Sequence, residues 1–488
     1  MPYVAKLEKA SIPTVTIDYA DQEEMLKQTA LSSGVPNIRY LHASRTLSGP
    51  EDVDGWITPL LEALTRPLTE KEQEKGRWEP PQERILFKGT LDEAETFYQQ
   101  TMHVPFPLDA PISVYTDGLP IRVPTEERVK EMLTGTSHSP DELITYQAAA
   151  TTFQSDITGS VGLRIDRKKG EMVRFQPMNW TATVEQVATN AVMAGCKPEH
   201  LPVVLAIAES ACPTGTTVAW SQWVCVSGPI AKEIGMNFGV GMLDPGSPAN
   251  MPIGRAYQLM AINLGGAIPG VNRMNSTGSP FNTGGTCFAE NIALLPPGWK
   301  GLNEENGFKK EESVVMVVNG SSLFGAGQFS PGGYRELQKS GHGGLARRFD
   351  VKGKPGPHNW LEYLVTSLWT GREGGITFIM VPEMAQHLYE YGFKSKEEVY
   401  KWLWEKSFIR LDDYRKRSWP DLSTNGWMGL EKHSGKHWKE LPDDYMVPLV
   451  EDPFDNCIII GGGEEEVCTE IAGRRPAPSP VYSIDAWR

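Results

Sequence analysis

The chain has 488 residues, with 61 Asp and Glu against 47 Lys and Arg, and a formal net charge of −14. This acidic balance argues against nucleic-acid binding, which needs a basic face to neutralise phosphates. No apolar run is long enough to cross a membrane and the first residues lack the apolar core of a secretory signal, so we expect a cytoplasmic protein. Six cysteines without a C-x-x-C pair indicate reduced thiols rather than a disulfide scaffold.

Residues 1–110 contain only short helical patterns and no motif that carries chemistry. The clearest element starts at Thr90, where Thr90 and Glu93 form a capping-box pattern. We expect an arm that wraps the main domain or contacts another subunit. This arm has little core of its own, and with the size of the chain it is the basis for predicting a homo-oligomer.

A helix, a tight corner and a second helix follow one another in the central part of the chain. Thr183 and Gln186 form a capping box, and an apolar stripe then continues at helical spacing until Gly195. Cys196 comes next, directly before a helix that Pro198 opens. The Cys196 thiol is therefore expected near the positive end of the second helix, where a thiolate is stabilised. The alternative is a small buried thiol that fills the corner.

A long glycine-rich loop runs from residue 235 to residue 254. Its backbone amides are suited to holding an anion or a carboxylate, and Arg255 follows it directly. Asn237 and Asn250 add amide side chains to the same stretch. The loop matches neither the dinucleotide fingerprint nor the P-loop, so an ordered surface loop is the alternative.

A thiol and a carboxylate stand close together in Cys287-Phe-Ala-Glu290-Asn291. Cysteine is a nucleophile and glutamate an acid or base, so these two residue types with a neighbouring amide indicate a catalytic set. Contiguous residues need not face one another, so spacing alone does not establish the set.

Metal binding is a competing interpretation for the same thiols. Cys196 and His200 are four residues apart, which is a spacing that zinc ligands use. Pro198 lies between them, and no third ligand is close by in the sequence. We therefore assign no metal and no cofactor from the sequence, and a bound metal stays open.

Buried strands and capped helices alternate in the second half of the chain. Residues 313–318, 376–381 and 456–460 are short β-branched or apolar runs that predict strands. Ser395 and Glu398 form a capping box that opens a helix over 397–408.

The predicted fold class is α/β, with mixed or parallel buried strands, flanking helices, an irregular N-terminal arm and a decorated C-terminal segment. We divide the chain into an arm (1–110), a core α/β region with the site (111–310), a second α/β unit (311–410), and an aromatic and charged insertion with a final strand and tail (411–488).

Four blocks resemble a little-characterised bacterial family whose members are often labelled thioredoxin-like or associated with selenoproteins that carry a UGSC motif. The blocks are YTDGLP (115–120), NAVMAGCKPE (190–199), SGPIAKEIG (227–235) and CFAEN (287–291). The resemblance covers roughly residues 115–408 and implies that Cys196, Cys287 and Glu290 are family features. It also implies chemistry coupled to thiols or to a redox partner. This chain carries Met384 where related sequences tend to have His, which puts a shared reaction in doubt.

The leading hypothesis is an enzyme that acts on a small organic, anionic substrate by cysteine-dependent reductive cleavage or elimination. Cys196 and Cys287 would act as thiols, and Glu290 would be the acid or base. The residues expected to bind the substrate are Arg255, Asn237, Asn250, Asn291 and His200.

Two other hypotheses come from different classes. The first is a metal- or carboxylate-dependent hydratase or lyase in which the cysteines are structural or act as ligands. The second is a non-catalytic subunit that binds a thioredoxin-like or selenoprotein partner. The tryptophan-rich segment 402–438 favours the second, since aromatic residues are enriched in interface cores.

Overall fold

Two four-stranded sheets form the centre of the protein in the computed structural model. The structure describes residues 2–44, 50–104, 110–155, 162–214, 221–320, 322–324, 376–406, 408–413, 434–448, 452–463, 468–472 and 481–488, except 75, 77–78, 80–82, 271–272 and 274–285.

The helices of the described residues, in chain order, are α1 (Pro2–Lys9), α2 (Glu23–Ser32), α3 (Pro50–Thr65), α4 (Glu70–Gln73), α5 (Leu91–Tyr98), α6 (Glu126–Met132), α7 (Val184–Ala194), α8 (Leu201–Ala208), α9 (Ile230–Glu233), α10 (Asn250–Asn263), α11 (Leu302–Glu305), α12 (Pro382–Tyr391) and α13 (Lys396–Lys406). The strands are β1 (Thr16–Tyr19), β2 (Tyr40–Ala43), β3 (Thr101–Val104), β4 (Ala110–Ser113), β5 (Ala150–Ser155), β6 (Gly162–Arg167), β7 (Ser221–Ser227), β8 (Thr286–Ala289), β9 (Val314–Gly320), β10 (Ser322–Phe324), β11 (Ile376–Met380), β12 (Phe408–Arg410), β13 (Met446–Pro448), β14 (Cys457–Ile460), β15 (Cys468–Ala472) and β16 (Val481–Ser483).

The two central sheets share the arrangement of three of their four strands. The first sheet has the order β16-β9-β7-β8, and the second has the order β10-β15-β11-β14. In each, one strand pairs in parallel with a later strand of the chain, as β7 does with β8 and β11 does with β14. A third strand then pairs antiparallel on the other side of the first, as β9 and β15 do. The fourth strands differ, because β16 comes after the other strands of its sheet in the chain and β10 comes before those of its sheet.

Side-chain alternation along the strands divides each sheet into a helix-covered face and an inner face. Trp223 and Cys225 of β7 point to the inner face, where they join a cluster with Ile379 and Ile459 of the second sheet. The intervening Val224 packs in the core that contains α7, α8 and α10. The second sheet is covered in the same way by α12 and α13. The result is a four-layer arrangement of helices, sheet, sheet and helices.

The helix corner at Cys196 forms as the sequence predicts. Thr183 Oγ1 accepts from the Gln186 N–H, and the Gln186 side chain accepts from the Thr183 N–H. The two hydrogen bonds cap the start of α7. Gly195 ends α7 in the left-handed conformation with φ 89°, which a glycine adopts without the steric penalty of a Cβ atom. Every side chain of α8 is buried, so this helix is a core element and not a surface one.

The α/β prediction is confirmed, and the strands predicted over residues 313–318, 376–381 and 456–460 are present as β9, β11 and β14. The arm over residues 1–110 is less irregular than predicted, since it contains α1 to α5 and the paired strands β1–β2. The first sheet takes strands from both sides of residue 310 and from the last residues of the chain. Residues 414–433 of the tryptophan-rich segment lie outside the described residues.

Candidate functional site

A buried group of polar side chains lies at the carboxyl ends of β7 and β8. Ser227 is the last residue of β7, and Glu290 directly follows the last residue of β8. The two strands are parallel, so their carboxyl ends meet at one edge of the sheet. Open α/β sheets commonly hold their ligands at this edge.

The Glu290 carboxylate accepts three hydrogen bonds. Its Oε2 atom accepts from the Ser227 hydroxyl at 2.7 Å and from the Leu302 backbone N–H at 2.7 Å. Its Oε1 atom accepts from the Lys396 ammonium at 2.9 Å. Ser227 is 0% exposed, Glu290 1% and Lys396 2%. The carboxylate is thus removed from water and held in one orientation by three different elements.

Lys396 lies between two carboxylates. Besides Glu290, its ammonium donates to Glu305 Oε2 at 3.1 Å. Burial lowers the pKa of Lys396, but the charges of Glu290 and Glu305 raise it by more, so the net pKa lies above that of an ordinary lysine. Burial also raises the pKa of Glu305, and the Glu290 charge raises it further. Two carboxyl groups therefore share one ammonium. The three groups together carry one negative charge when both carboxyl groups are ionised, and none when one of them holds a proton.

Tyr400 connects this group to the second sheet. Its hydroxyl donates to Glu305 Oε1 at 3.2 Å and accepts from the Ile458 N–H of β14 at 2.9 Å. Tyr400 and Lys396 both belong to α13 and lie four residues apart, so they share one face of the helix. The helix therefore positions the ammonium and the phenol together.

Two glycines allow the chain to approach this group closely. Gly228 follows Ser227 with φ 116°, and a Cβ atom there would lie 2.6 Å from Ser313 Cα. Gly301 precedes α11, where a Cβ atom would lie 2.6 Å from Asn303 Oδ1. Larger residues at either position would push Ser227 or the Leu302 amide away from Glu290.

Cys196 and Cys287 are both buried in the core between the helices and the first sheet. Burial raises the pKa of both thiols well above the ordinary value, and the Cys287 pKa is raised further by Cys196. Both side chains belong to the same hydrophobic core cluster. Desolvation favours the neutral thiol, so this environment opposes the stabilised thiolate that the helix corner predicted for Cys196.

Arg255 makes its contacts inside the chain. Its guanidinium donates to both carboxylate oxygens of Asp117 at 2.9 Å each, and to the carbonyl oxygens of Leu119 and Pro120. A carboxylate that accepts two parallel hydrogen bonds in this way matches the planar geometry of the arginine guanidinium. The anion that the sequence expected at Arg255 is thus the protein's own Asp117.

The two asparagines of the glycine-rich loop hold the loop together. Asn250 Oδ1 accepts from the Asn237 N–H at 3.0 Å, and Asn250 Nδ2 donates to the Asn237 carbonyl at 2.8 Å. Asn237 in turn accepts from the Gly239 N–H at 2.9 Å. These contacts fix the path of the loop and place neither amide beside Glu290.

The other two predicted binding residues have different positions. The Asn291 N–H donates to the Ile460 carbonyl at 2.7 Å, which joins the edge of the first sheet to the second. His200 is buried, accepts from the Lys197 N–H at 3.2 Å, and has its pKa lowered by burial. Within the described part of the chain, no group of three or more His, Cys, Asp or Glu side chains is arranged to hold a metal ion.

Sequence reasoning found Glu290 but missed Ser227, Lys396, Glu305 and Tyr400. The N-cap half of the capping box predicted at Ser395 is present, with the Glu398 N–H donating to Ser395 Oγ at 3.2 Å, while the Glu398 carboxylate accepts from the Lys394 N–H. A lysine in the first turn of a helix is at the unfavourable end of the helix dipole. That position was the available signal that Lys396 is paired with carboxylates elsewhere.

Comparison with protein-family models, curated proteins and solved structures finds no match. None of the helices that the structure describes is long and apolar enough to span a bilayer. The fold and the site define an α/β protein with a buried serine, glutamate and lysine group at the carboxyl ends of two parallel strands.

Proposed function

We propose that the protein is an enzyme in which Glu290 is the acid–base group, and that it adds water or a small group to an organic substrate, or removes one. Among the hypotheses from the sequence, this is the carboxylate-dependent hydratase or lyase. The observation that carries the proposal is the position of the Glu290 carboxylate between the Ser227 hydroxyl and the Lys396 ammonium, at 2.7 and 2.9 Å.

The three groups have complementary roles in proton transfer. The hydroxyl of Ser227 and the ammonium of Lys396 both donate to the Glu290 carboxylate, which is the proton acceptor in this proposal. Ser227 already donates its hydrogen to Glu290, so its oxygen lone pairs are available to a substrate proton. As the hydroxyl takes that proton, it passes its own hydrogen to Glu290, and the reverse transfer returns it. Positioned general bases of this kind contribute roughly 10²–10⁴-fold to a rate.

Substrate access depends on the short helix α11. Glu290 is 1% exposed, so a substrate reaches it only when a neighbouring element moves. The Leu302 N–H that contacts Glu290 belongs to α11, which has four residues. Short elements open locally at low free-energy cost. Hydrogen–deuterium exchange at the Leu302 amide measures this opening, and exchange as slow as global unfolding would contradict the proposal.

A substrate screen with matched variants tests the assignment. Small hydroxy acids and unsaturated acids would be incubated with wild type, Glu290→Gln, Ser227→Ala and the surface control Glu397→Gln, whose side chain is 57% exposed. We expect turnover by wild type and the control, with a loss of about 10²–10⁴-fold in Glu290→Gln. Full turnover by Glu290→Gln would exclude Glu290 as the acid–base group.

The thiol-dependent mechanism is the second candidate, favoured by the position of Cys196 and Cys287 in one core cluster. It requires one of these thiols to ionise despite its burial. Thiol titration of native and denatured protein distinguishes the two mechanisms, since a fast-reacting native Cys196 or Cys287 favours thiol chemistry. Thiols that react slowly in the native protein and fast after denaturation favour the mechanism in which Glu290 is the acid–base group.

A cytoplasmic location, a homo-oligomeric state and a thioredoxin-like or selenoprotein partner stay predictions from the sequence. Light scattering of the purified protein measures the oligomeric state. Co-purification of such a partner with a chain that is inactive alone would favour the non-catalytic subunit.

A further inference from the structure

Two arginines share one carboxylate in the N-terminal arm. Arg66 directly follows α3, and its Nη2 and Nη1 atoms donate to Glu72 Oε1 and Oε2 at 2.6 and 2.7 Å. Glu72 belongs to the short helix α4. The second arginine is Arg39, which directly precedes β2, and its Nε atom lies 3.4 Å from the same Glu72 Oε1. The group therefore contains two guanidinium ions and one carboxylate.

The Glu72 carboxylate is occupied by donors other than Arg39. Besides Arg66, it accepts at Oε2 from the Thr69 N–H at 2.9 Å and from the Thr69 hydroxyl at 3.1 Å. The Glu72 N–H donates back to the Thr69 hydroxyl, which completes the capping box of α4. The hydrogen bond from Arg66 is the main cause that lowers the pKa of Glu72 to about 2. Glu72 is thus ionised at neutral pH and oriented towards Arg66 and Thr69.

The guanidinium of Arg39 is buried, and two of its three nitrogen atoms lack an acceptor. The side chain is 3% exposed. Its Nη2 atom donates to the Arg66 carbonyl at 3.2 Å. Nε and Nη1 make no hydrogen bond with any residue that the structure describes, so the 3.4 Å contact between Nε and Glu72 is an ion pair only. The N–H group of Nε and both N–H groups of Nη1 are therefore unsatisfied by the described residues.

A buried guanidinium with so few partners is an exception among folded proteins. Arginine keeps its positive charge in proteins, and buried charges are as a rule paired. A buried N–H group without a protein acceptor is commonly explained by a bound ion or an ordered water. A water molecule would satisfy the N–H groups but would leave the second positive charge unbalanced. An anion satisfies both requirements.

The nearby chain does not supply this second negative charge. Glu74, which directly follows α4, accepts from the Asn37 side chain at 3.3 Å. In the part of the chain that the structure describes, Arg39 makes no ion pair besides that with Glu72. The excess charge at Arg39 is therefore open to a ligand from outside the chain.

We propose that Arg39 binds a small oxyanion, a carboxylate or a phosphate group, and that Arg66 adds positive charge to the site. The N–H groups of a guanidinium lie in one plane, in a geometry that matches two oxygen atoms of an oxyanion better than a spherical ion. The ligand enters when α4 opens. None of the four residues of α4 is buried, and such elements open locally at low free-energy cost.

Binding at Arg39 stabilises the pairing of β1 with β2. The Arg39 carbonyl accepts from the Thr16 N–H at 2.9 Å, and the parallel register of the two strands begins at Thr16 and Tyr40. A ligand that fixes Arg39 therefore protects the Thr16 amide. The site is independent of the proposed function, because it shares no residue with the Glu290 region.

Hydrogen–deuterium exchange of the full-length protein with inorganic phosphate tests the site without a substrate. Phosphate replaces chloride at constant ionic strength, so that screening of exposed charges stays the same. At saturating phosphate we expect the protection of the Thr16 amide to rise about tenfold or more relative to the amides of α10. Acetate in place of phosphate distinguishes a carboxylate site from a phosphate site, and protection by either anion supports the proposal.

Three variants relate the effect to this site. Arg39→Met keeps an unbranched side chain but removes the charge and the donors, so it should lose the effect of phosphate. Arg122→Met is the control, because Arg122 is 43% exposed and lies 3.8 Å from Glu131, and it should behave as wild type. Glu72→Gln retains a residue type that completes a capping box but removes the competing negative charge. Phosphate should therefore protect the Thr16 amide of this variant at lower concentration than in wild type.

The proposal fails if neither phosphate nor acetate changes Thr16 protection in wild type when it replaces chloride. An equal gain in wild type and Arg39→Met would overturn it as well, since the anion would then act elsewhere. Glu72→Gln keeps the test decisive if Arg39→Met does not fold. A Glu72→Gln variant that needs as much phosphate as wild type would contradict a site at the shared carboxylate.

Discussion

Glu290 and Glu209 are both buried carboxyl groups that directly follow an element of the first sheet or its helices, yet their surroundings differ. Glu290 is 1% exposed and contacts an ammonium at 2.9 Å. Glu209 is 2% exposed and contacts only neutral donors among the described residues. Burial by itself raises the pKa of a carboxyl group, and a nearby cation opposes that effect. One carboxyl group thus has a cationic partner, and the other has none among its donors in the described part of the chain.

The difference assigns different kinds of chemistry to the two regions. A buried carboxyl group that contacts a hydroxyl and an ammonium is placed for proton transfer, whereas a carboxyl group that titrates near neutrality responds to pH. In the Glu290 region a lysine supplies a positive charge to the carboxyl group. In the Glu209 region the described hydrogen-bond donors to the carboxyl group are neutral. Variants that remove or exchange these features should therefore have effects of different size and different pH dependence.

Removing the cation has the largest expected effect. Lys396→Met leaves the buried Glu290 and the partly buried Glu305 without their shared positive partner. Breaking a buried pair costs about 3–5 kcal/mol of unfolding free energy. Urea unfolding at neutral pH measures the loss.

Two further variants show whether that loss comes from the buried charge. Lys401→Met removes a lysine that is 54% exposed and paired with Glu397 on the same helix, and it should cost no more than about 0.5 kcal/mol. Adding Glu290→Gln to Lys396→Met should recover part of the loss, because the buried charge is gone. A loss for Lys396→Met as small as that of the control would show that the ammonium is not required.

Removing the titratable group at the second region has an effect that depends on pH. The Glu209 pKa rises from 4.5 to about 7 on folding. Below the lower value both states hold the proton, and between the two values the folded state retains a proton that the unfolded state has released. The stability of wild type relative to Glu209→Gln should therefore fall by about 3 kcal/mol over this window.

Paired unfolding curves at several pH values measure this difference. The control Glu397→Gln should show no such fall, since its carboxylate is exposed and its pKa is lowered by Lys401. A difference between wild type and Glu209→Gln that is constant with pH would mean that Glu209 does not hold a proton.

Local patterns predicted much of the fold and one residue of the candidate site. The capping boxes at Thr183 and Ser395 and the β-branched runs gave helices and strands close to those observed, because these signals act within a few residues. Glu290 was identified from its neighbours in sequence. Its contact with Lys396 spans 106 positions, and no local pattern encodes a pairing of that range.

The cysteine prediction shows the limit of a helix-end argument. The corner at Cys196 has the predicted backbone, but desolvation of the side chain outweighs the effect of a nearby helix N-terminus. Met384, where a histidine was expected from the resemblance, is a core residue of the second half, 1% exposed. Burial of a given side chain depends on the packing of whole layers, which spacing along one helix does not determine.

A smaller effect is expected when a donor is removed and the charge stays. Ser227→Ala removes one of three hydrogen bonds to the Glu290 carboxylate and should cost about 1.5–3 kcal/mol. Ser210→Ala is a matched change beside Glu209, where the hydroxyl accepts from the Cys212 N–H at 3.2 Å. That neutral bond should cost about 0.5–1.5 kcal/mol. Equal losses in urea unfolding would indicate that Glu290 is not charged.

The smallest effect we expect is for Tyr400→Phe, which changes the outer part of the Glu290 region. The variant keeps the ring in the core but removes the hydroxyl that donates to Glu305 and accepts from the Ile458 N–H. Since Lys396 still contacts Glu305, the loss should be about 1 kcal/mol, the size of a typical hydrogen bond. Exchange of the Ile458 amide should become faster while that of the Leu302 amide is unchanged. Faster exchange at Leu302 as well would mean that Tyr400 supports the Glu290 carboxylate itself, so that the group acts as one unit from β8 to β14.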